Sequence, residues 1–257
     1  MPAGKPHKSV PVFSKAELDI ANDCAVLLWN GISFETGRKT TSDEKLMSYF
    51  AEPIYRFVAS QATHVIFDRN ELHELISVAG LTPMLRKQNE LSYPQFEAYL
   101  SKTLKHLQKD INLAKTVAEK WAIASEHVRE GGKQLVDVNV KTNAGYRVPF
   151  ASRILFFATP TMPVANLSNG LAKALNLPSR PEYAVRPFYQ IFYTGLVTND
   201  TLLKTYSMPI SHGLLDAEVY SQVAQSDWWQ RRVLDIALLL KFNVARTASR
   251  LPKVPTT

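Results

Sequence analysis

The chain has 257 residues, 46% of them hydrophobic and 21% charged, which is ordinary for a globular protein and enough for one large domain or two small ones. No apolar run approaches the roughly 20 residues of a membrane-spanning helix, and the N-terminus lacks the apolar core of a signal peptide. A single cysteine excludes an internal disulfide, so we expect a cytoplasmic protein with no membrane partner.

The formal net charge of +7 is distributed unevenly along the chain. Residues 1–15 and 241–257 together contain seven basic residues and no acidic one. Residues 16–100 contain 7 basic and 12 acidic residues, whereas residues 101–153 contain 10 and 5. This excess of positive charge in the middle and at both ends favours binding to a polyanion. Solvated lysines and basic tails without a partner are the alternative.

The first half of the chain has helical periodicity after a short polar start. Residues 1–14 contain three prolines and little to bury, which predicts a flexible basic arm, and an N-terminal helical region follows over residues 15–132. The start signals are Ser14 with Glu17, the polar run from Ser42, and Ser92 before Pro94. The predicted helices are 15–29, 46–51, 53–63 after a break at Pro53, 64–79, and one long helix over 93–130.

Three lysines lie on one side of the predicted long helix. Its apolar residues recur at steps of three and four, and Lys102, Lys105 and Lys109 fall on the opposite side. Such a stripe is suited to contact with a phosphate backbone, although a long helix also needs a charged solvent face. We therefore predict these lysines as candidate nucleic-acid contacts.

The second half of the chain opens with a change of period. Val136, Val138 and Val140 alternate with polar residues, a turn follows at 143–145, and residues 146–148 are predicted to return as a second strand of a small β-ribbon. Residues 178–187 are proline-rich and predicted to be a loop, and residues 188–196 fit either a helix or a strand. Further helices are predicted over 199–206, 214–224 and 233–242, before a basic tail over 243–257.

The stretch from Phe150 to Leu175 combines features that indicate a functional site. An apolar helix through Ala158 carries one ionisable residue, Arg153, and ends in an elbow because Pro160 and Pro163 cannot continue a helix. A polar cluster follows, in which Ser168 or Asn169 is predicted to cap a second short helix. We expect one wall of a cleft here.

Several classes of enzyme are excluded by missing motifs. The chain has no phosphate-binding glycine loop, no GxGxxG, no GxSxG, no HExxH and no CxxC. His64, Asp68 and His73 are interpreted as surface residues of a helix and not as metal ligands, so we expect no metal and no cofactor. Cys24, between apolar helical neighbours, is interpreted as a core residue.

Residues 145–240 resemble helix–hairpin–helix DNA glycosylases, particularly 8-oxoguanine DNA glycosylase-like bacterial proteins. In that family a lysine opens an apolar helix and attacks the sugar, and an aspartate beyond the following loop supports charge separation. Arg153 stands near the lysine position, and Asn166 or Ser168 stands near the aspartate position. Arginine is too basic to act as a free amine nucleophile, and neither Asn nor Ser carries a negative charge.

The resemblance implies a mainly α, glycosylase-like fold over residues 133–242 and DNA as the partner. It also implies a monofunctional enzyme that extrudes a damaged or modified base and excises it with water as the nucleophile. The candidate catalytic residues are Asn166, Ser168 and Asp235, the last as a substitute carboxylate. Pairing of Asp235 with Arg231 or Arg232 in a structural network is the alternative role for that residue.

Four arginines and two tryptophans complete the set of candidates. Arg147, Arg153, Arg231 and Arg232 are predicted to contact DNA, with Arg231 and Arg232 on the surface; Trp228 and Trp229 either stack on a base or, as we favour, pack in the core. A catalytically inactive glycosylase-like module that binds DNA or a protein remains an alternative function. A helical accessory factor unrelated to glycosylases is another.

Overall fold

The computed structural model describes residues 7–60, 65, 67–78, 93–135, 144–210 and 213–245. These ranges are mainly helical, as predicted. The helices are α1 (Lys15–Trp29), α2 (Asp43–Ser60), α3 (Arg69–Val78), α4 (Tyr93–Leu113), α5 (Val117–Gln134), α6 (Ala144–Ala158), α7 (Asn169–Ala174), α8 (Pro181–Thr198), α9 (Asp200–Leu203), α10 (Ala217–Gln225) and α11 (Trp228–Lys241).

One hydrophobic core joins the two halves of the chain. Helix α1 packs against α11, α2 against α6, and α5 against both α6 and α8. Helices α5 and α6 are in close contact at Gly132, which has no side chain there: an added Cβ would lie 2.7 Å from Cγ2 of Val148. The helical region predicted over residues 15–132 therefore shares its interior with the described part of residues 133–242, which the sequence separated from it.

The second strand of the predicted β-ribbon is wrong. Residues 146–148 belong to α6, which begins at Ala144 and includes Pro149. Val148 is buried against Gly132, and this helix-to-helix contact outweighs the short alternating pattern. The first predicted strand, 136–140, lies outside the described residues. Within the described ranges, the β-structure is one isolated antiparallel bridge between Ile32 and Lys39.

The single long helix predicted over residues 93–130 is also wrong, because α4 and α5 are separated at residues 114–116. Thr116 caps α5 in a capping box with Glu119. The hydroxyl of Thr116 accepts a hydrogen bond from the backbone N–H of Glu119 at 3.1 Å, and the Glu119 carboxylate accepts one from the N–H of Thr116 at 3.1 Å. The Thr-x-x-Glu signal is present in the sequence, but the continuous apolar period conceals it.

Removal of this cap is expected to cost stability. Thr116→Ala leaves the backbone N–H of Glu119, in the first turn of α5, without its side-chain acceptor, so we expect a loss of about 1 kcal/mol in the free energy of unfolding. Urea denaturation followed by circular dichroism measures it. Thr40→Ala, at an exposed threonine, is the matched control and should change stability by less than about 0.5 kcal/mol.

Three other predicted boundaries also differ from the structure. Helix α2 continues through Pro53, since buried Phe50, Ala51 and Ile54 hold it on both sides of the proline. Helix α8 includes Pro187, so residues 181–187 are helical and not a loop. Helix α3 begins only at Arg69.

The described part of the predicted flexible arm, residues 7–14, is docked on the protein. The N–H of Lys8 donates to the carbonyl of Leu175 at 3.2 Å. Phe13 is buried, and its N–H donates to the side-chain oxygen of Asn199 at 2.9 Å. Phe13 gives this segment an apolar side chain that packs into the core. The prediction of a flexible arm rested on the proline content and overlooked this residue. No helix among the described residues is both long and apolar enough to cross a bilayer.

Candidate functional site

One serine in the middle of α6 binds the segment that follows the elbow. Ser152 is fully buried; its hydroxyl donates to the carbonyl of Ala165 at 2.6 Å and accepts from the N–H of Leu167 at 2.7 Å. Ser168 caps α7 by accepting from the N–H of Leu171 at 3.1 Å, as predicted. The helix, its elbow and the short second helix are therefore confirmed, and the cleft that they were expected to line stays a prediction.

The elbow is held from the other side by Arg231, which is completely buried. Its guanidinium donates to the carbonyls of Pro160 and Val164, and its Nε donates to Asp227 at 2.8 Å. A segment with two prolines presents carbonyl acceptors but few donors, so a cation from α11 satisfies it. The prediction of Arg231 as a surface contact to DNA is wrong because its donors bind the protein itself.

A buried charge cluster, formed by Asp43, Arg232 and Asp235, lies between the first turn of α2 and α11. Arg232 donates from Nε to Asp43 at 2.6 Å and from Nη1 to Asp235 at 3.0 Å. The three residues are 3%, 7% and 1% exposed, respectively. Asn166 adds a long hydrogen bond of 3.3 Å from its amide to Asp235. Arg232, like Arg231, is therefore inside the protein, and its prediction as a surface contact is wrong.

The electrostatics of this cluster favour a bound cation. Two carboxylates face one guanidinium, so the cluster has a formal charge of −1 when both are ionised. Burial raises the pKa of Asp235 above its ordinary value, and the charge of Arg232 and the amide of Asn166 oppose that shift. A negative charge enclosed in a medium of low polarity attracts a nearby positive charge more strongly than it would in water.

Arg153 is the cation beside this cluster, and it is unusual. It is partly buried, and its Nε has no contact with solvent and no hydrogen-bond partner. Among the described residues, it makes no ion pair. Its guanidinium carbon lies 6.0 Å from the centre of the Phe157 ring, and that of Arg232 lies 5.9 Å from the same ring. Burial and the charge of Arg232 lower the pKa of Arg153, while Asp43 and Asp235 raise it.

The structure thus brings together three of the predicted site residues, Arg153, Asn166 and Asp235. Ser168 is close in sequence but acts as a helix cap. Asp43 and Phe157 were not predicted. Asp43 is 189 residues from Arg232, its ion-pair partner, and the only signal in the sequence is an acidic residue in the first turn of a helix.

The remaining candidates lie elsewhere. Lys102, Lys105 and Lys109 are exposed on α4, on the side opposite its buried residues, as predicted. Arg147 is partly buried near the start of α6, and its Nε also lacks a partner. Trp228 is a core residue, as favoured: it is fully buried, and its indole N–H donates to the carbonyl of Phe156 at 3.0 Å.

Among the described residues, Trp229, Cys24 and the possible metal ligands offer no further chemistry. Trp229 is 2% exposed and packs in the core, and Cys24 is fully buried, where burial raises the pKa of its thiol to about 11. No group of three or more His, Cys, Asp or Glu residues that could hold a metal ion occurs in the part of the chain that the structure describes. No protein-family model, curated protein or solved structure matches the chain.

Proposed function

We propose that the chain is a DNA-binding protein of DNA-glycosylase type, in which Arg153 contacts the nucleic acid beside an extruded base that is excised by water. The observation that carries this proposal is the Nε of Arg153, which is buried and has no hydrogen-bond partner. Partly buried arginines normally bind a carboxylate or a carbonyl, because loss of water without a replacement costs free energy. A phosphate or the edge of a base supplies the missing acceptors, and guanidinium groups match both geometries.

The buried charge cluster supports the chemistry of the same proposal. Cleavage of a glycosidic bond develops positive charge on the sugar, which a fixed negative charge in a water-poor site stabilises. Asp235, oriented by Asn166 and Arg232, is the carboxylate in this role, and Asp43 binds the same Arg232. Since arginine replaces the lysine of the resembled family, the reaction requires water and not an enzyme amine as the nucleophile.

The exposed lysines of α4 support the binding part of the proposal. Lys102, Lys105 and Lys109 lie at spacings of three and four residues, which places them along one side of the helix. Each is a point charge on a flexible stem, suited to following a phosphate backbone without reading its sequence.

A second function is favoured by the surroundings of Asp235. Asp235 is 1% exposed and already accepts hydrogen bonds from Arg232 and Asn166, so little of its carboxylate is left for a substrate. A module that binds DNA, or another protein, without excision keeps Arg153 and the lysines and needs no free carboxylate. The two functions share a fold and differ in whether a base is released.

Arg153→Ala is expected to weaken binding to duplex DNA by about tenfold or more, because hydrogen bonds to charged groups contribute roughly 1.5–3 kcal/mol. If the contact is to phosphate, the plot of log affinity against log salt concentration should become shallower, its slope falling in magnitude by about one. Stability in urea should decrease only slightly, since the folded protein loses the attraction of Arg153 to the buried charge cluster and to the Phe157 ring but no hydrogen bond. Arg186→Ala, at an exposed arginine of α8, is the matched control for loss of charge. Wild-type affinity that does not depend on salt would contradict the binding proposal.

An excision assay over a panel of modified bases distinguishes the two functions. If the protein is an enzyme, wild type releases a base, and Asp235→Asn, which keeps the shape of the side chain, abolishes the release while duplex binding persists. Asn166→Ala should reduce it through the loss of orientation. Release of no base from any substrate, together with salt-dependent binding, supports the inactive module instead.

A further inference from the structure

A pocket lies beside the elbow. It has a volume of about 220 Å³ and is formed by α2, α4, α10 and residues 158–162. Its walls are mainly apolar, and they include Ile54, Leu104, Met162 and Val223. Arg153, Asn166 and Asp235 do not line it, so it is separate from the candidate site described above.

Polar groups converge on this pocket without a charge in its walls. Gln108, Gln222, Thr159, Thr161 and the phenol of Tyr55 are the polar lining, and no charged side chain occurs among the described residues that form it. The absence of a positive charge in the lining selects against an anionic ligand, because an anion would lose its water without a counter-charge.

The hydroxyl of Tyr55 is oriented by its neighbours. It donates to the Glu218 carboxylate at 2.6 Å and accepts from the amide of Gln222 at 2.8 Å. Because its proton is committed to Glu218, the phenol oxygen can interact with a ligand only as an acceptor, through its remaining lone pair. The hydrogen bond to Glu218 also raises the pKa of Tyr55, so the phenol stays protonated at neutral pH.

We infer that this pocket binds a small, uncharged heteroaromatic molecule that donates a ring N–H to the oxygen of Tyr55. The volume is below the roughly 300–1,000 Å³ of pockets for drug-sized ligands, which limits the ligand to one or two fused rings. A planar ring would stack on apolar walls, and the Met162 thioether suits contact with an aromatic face or edge. The inference does not require DNA binding or excision.

Titration with indole, followed by ligand-observed nuclear magnetic resonance, tests this inference. Indole supplies the ring and the N–H; indene has the same shape without the donor, and indole-2-carboxylate adds a charge. We expect saturable binding of indole, weaker binding of indene and weaker binding of the carboxylate. Absence of saturable binding by indole, or equal binding by the carboxylate, overturns the inference.

Variants locate the binding at this pocket. Tyr55→Phe should lower the affinity for indole by about three- to tenfold, because it removes one hydrogen bond, and it should leave the affinity for indene unchanged. Tyr183→Phe, at an exposed tyrosine of α8, should change neither. Val58→Trp fills the pocket from its partly exposed rim and should weaken both ligands at least tenfold, with circular dichroism confirming the fold. Undiminished indole binding by Tyr55→Phe or Val58→Trp contradicts the assignment.

Discussion

Replacement of Arg232 by methionine is expected to lower the free energy of unfolding by about 3–5 kcal/mol near pH 8, because removal of one partner from a buried ion pair leaves uncompensated charge. Asp43 and Asp235 would remain inside the protein without the guanidinium that binds both of them. Methionine has a similar length, so the lost packing is small and the effect is mainly electrostatic.

The effect of this substitution should depend on pH in a defined direction. Burial already raises the pKa of Asp235 in the wild-type protein, and loss of Arg232 removes the main opposing influence, so the pKa rises further. A carboxyl with a higher pKa in the folded than in the unfolded state favours folding at low pH, and that contribution disappears as the pH rises through the folded-state pKa. The deficit of the variant should therefore be smaller at pH 5 than at pH 8.

Urea denaturation of wild type and Arg232→Met at both pH values measures this difference. Arg186→Met removes an exposed arginine and should change stability by less than about 0.5 kcal/mol at either pH. A deficit that is equal at pH 5 and pH 8 would show that packing, and not the charge of the two carboxylates, explains the loss.

Trp228→Ala is expected to cost about 3–5 kcal/mol, as is typical for truncation of a large buried aromatic residue. The indole ring lies 5.2 Å from the ring centre of Phe156 and 5.9 Å from that of Trp29, so the cavity would open between α1, α6 and α11. The carbonyl of Phe156 would also lose its hydrogen bond from the indole N–H.

Thermal unfolding and urea denaturation measure this cost, with Trp228→Phe as the graded variant. Phenylalanine keeps part of the ring contact and should lose less stability than alanine. Tyr183→Ala, at an exposed aromatic residue, is the control for the loss of a ring. Normal stability of Trp228→Ala combined with weaker DNA binding would reverse the interpretation and favour a stacking role for this tryptophan.

The features that the sequence predicted correctly depend on residues a few positions apart. Ser14 with Glu17 caps α1, and Ser168 caps α7, because a cap needs only its own first turn. The proline elbow after Ala158 has the same origin. Asp235 and Arg232 are three residues apart on one helix, so their pairing was also an available alternative.

The features that the sequence did not predict depend on which segments meet in space. Arg231 and Arg232 are adjacent charged residues that sequence reasoning places at the surface, and only contact with the elbow and with Asp43 shows that both are buried. The predicted strand at residues 146–148 failed for the same reason, since Gly132 on α5 provides the surface against which Val148 packs as part of a helix. Local periodicity contains no information on such partners.

The hydrogen bonds from Arg231 to the proline elbow have a consequence for biosynthesis. The two carbonyls that it binds were made 67 and 71 residues before it, so they have no partner from α11 until the ribosome has nearly completed the described part of the chain. The segment that carries Arg153 cannot gain this contact before α11 is made, and contacts so distant in sequence slow folding. A stop codon before α11 would remove Arg231 and leave the carbonyls of Pro160 and Val164 without these hydrogen bonds. The shortened product would be less stable, and proteases and chaperones would act on it before it could bind a ligand.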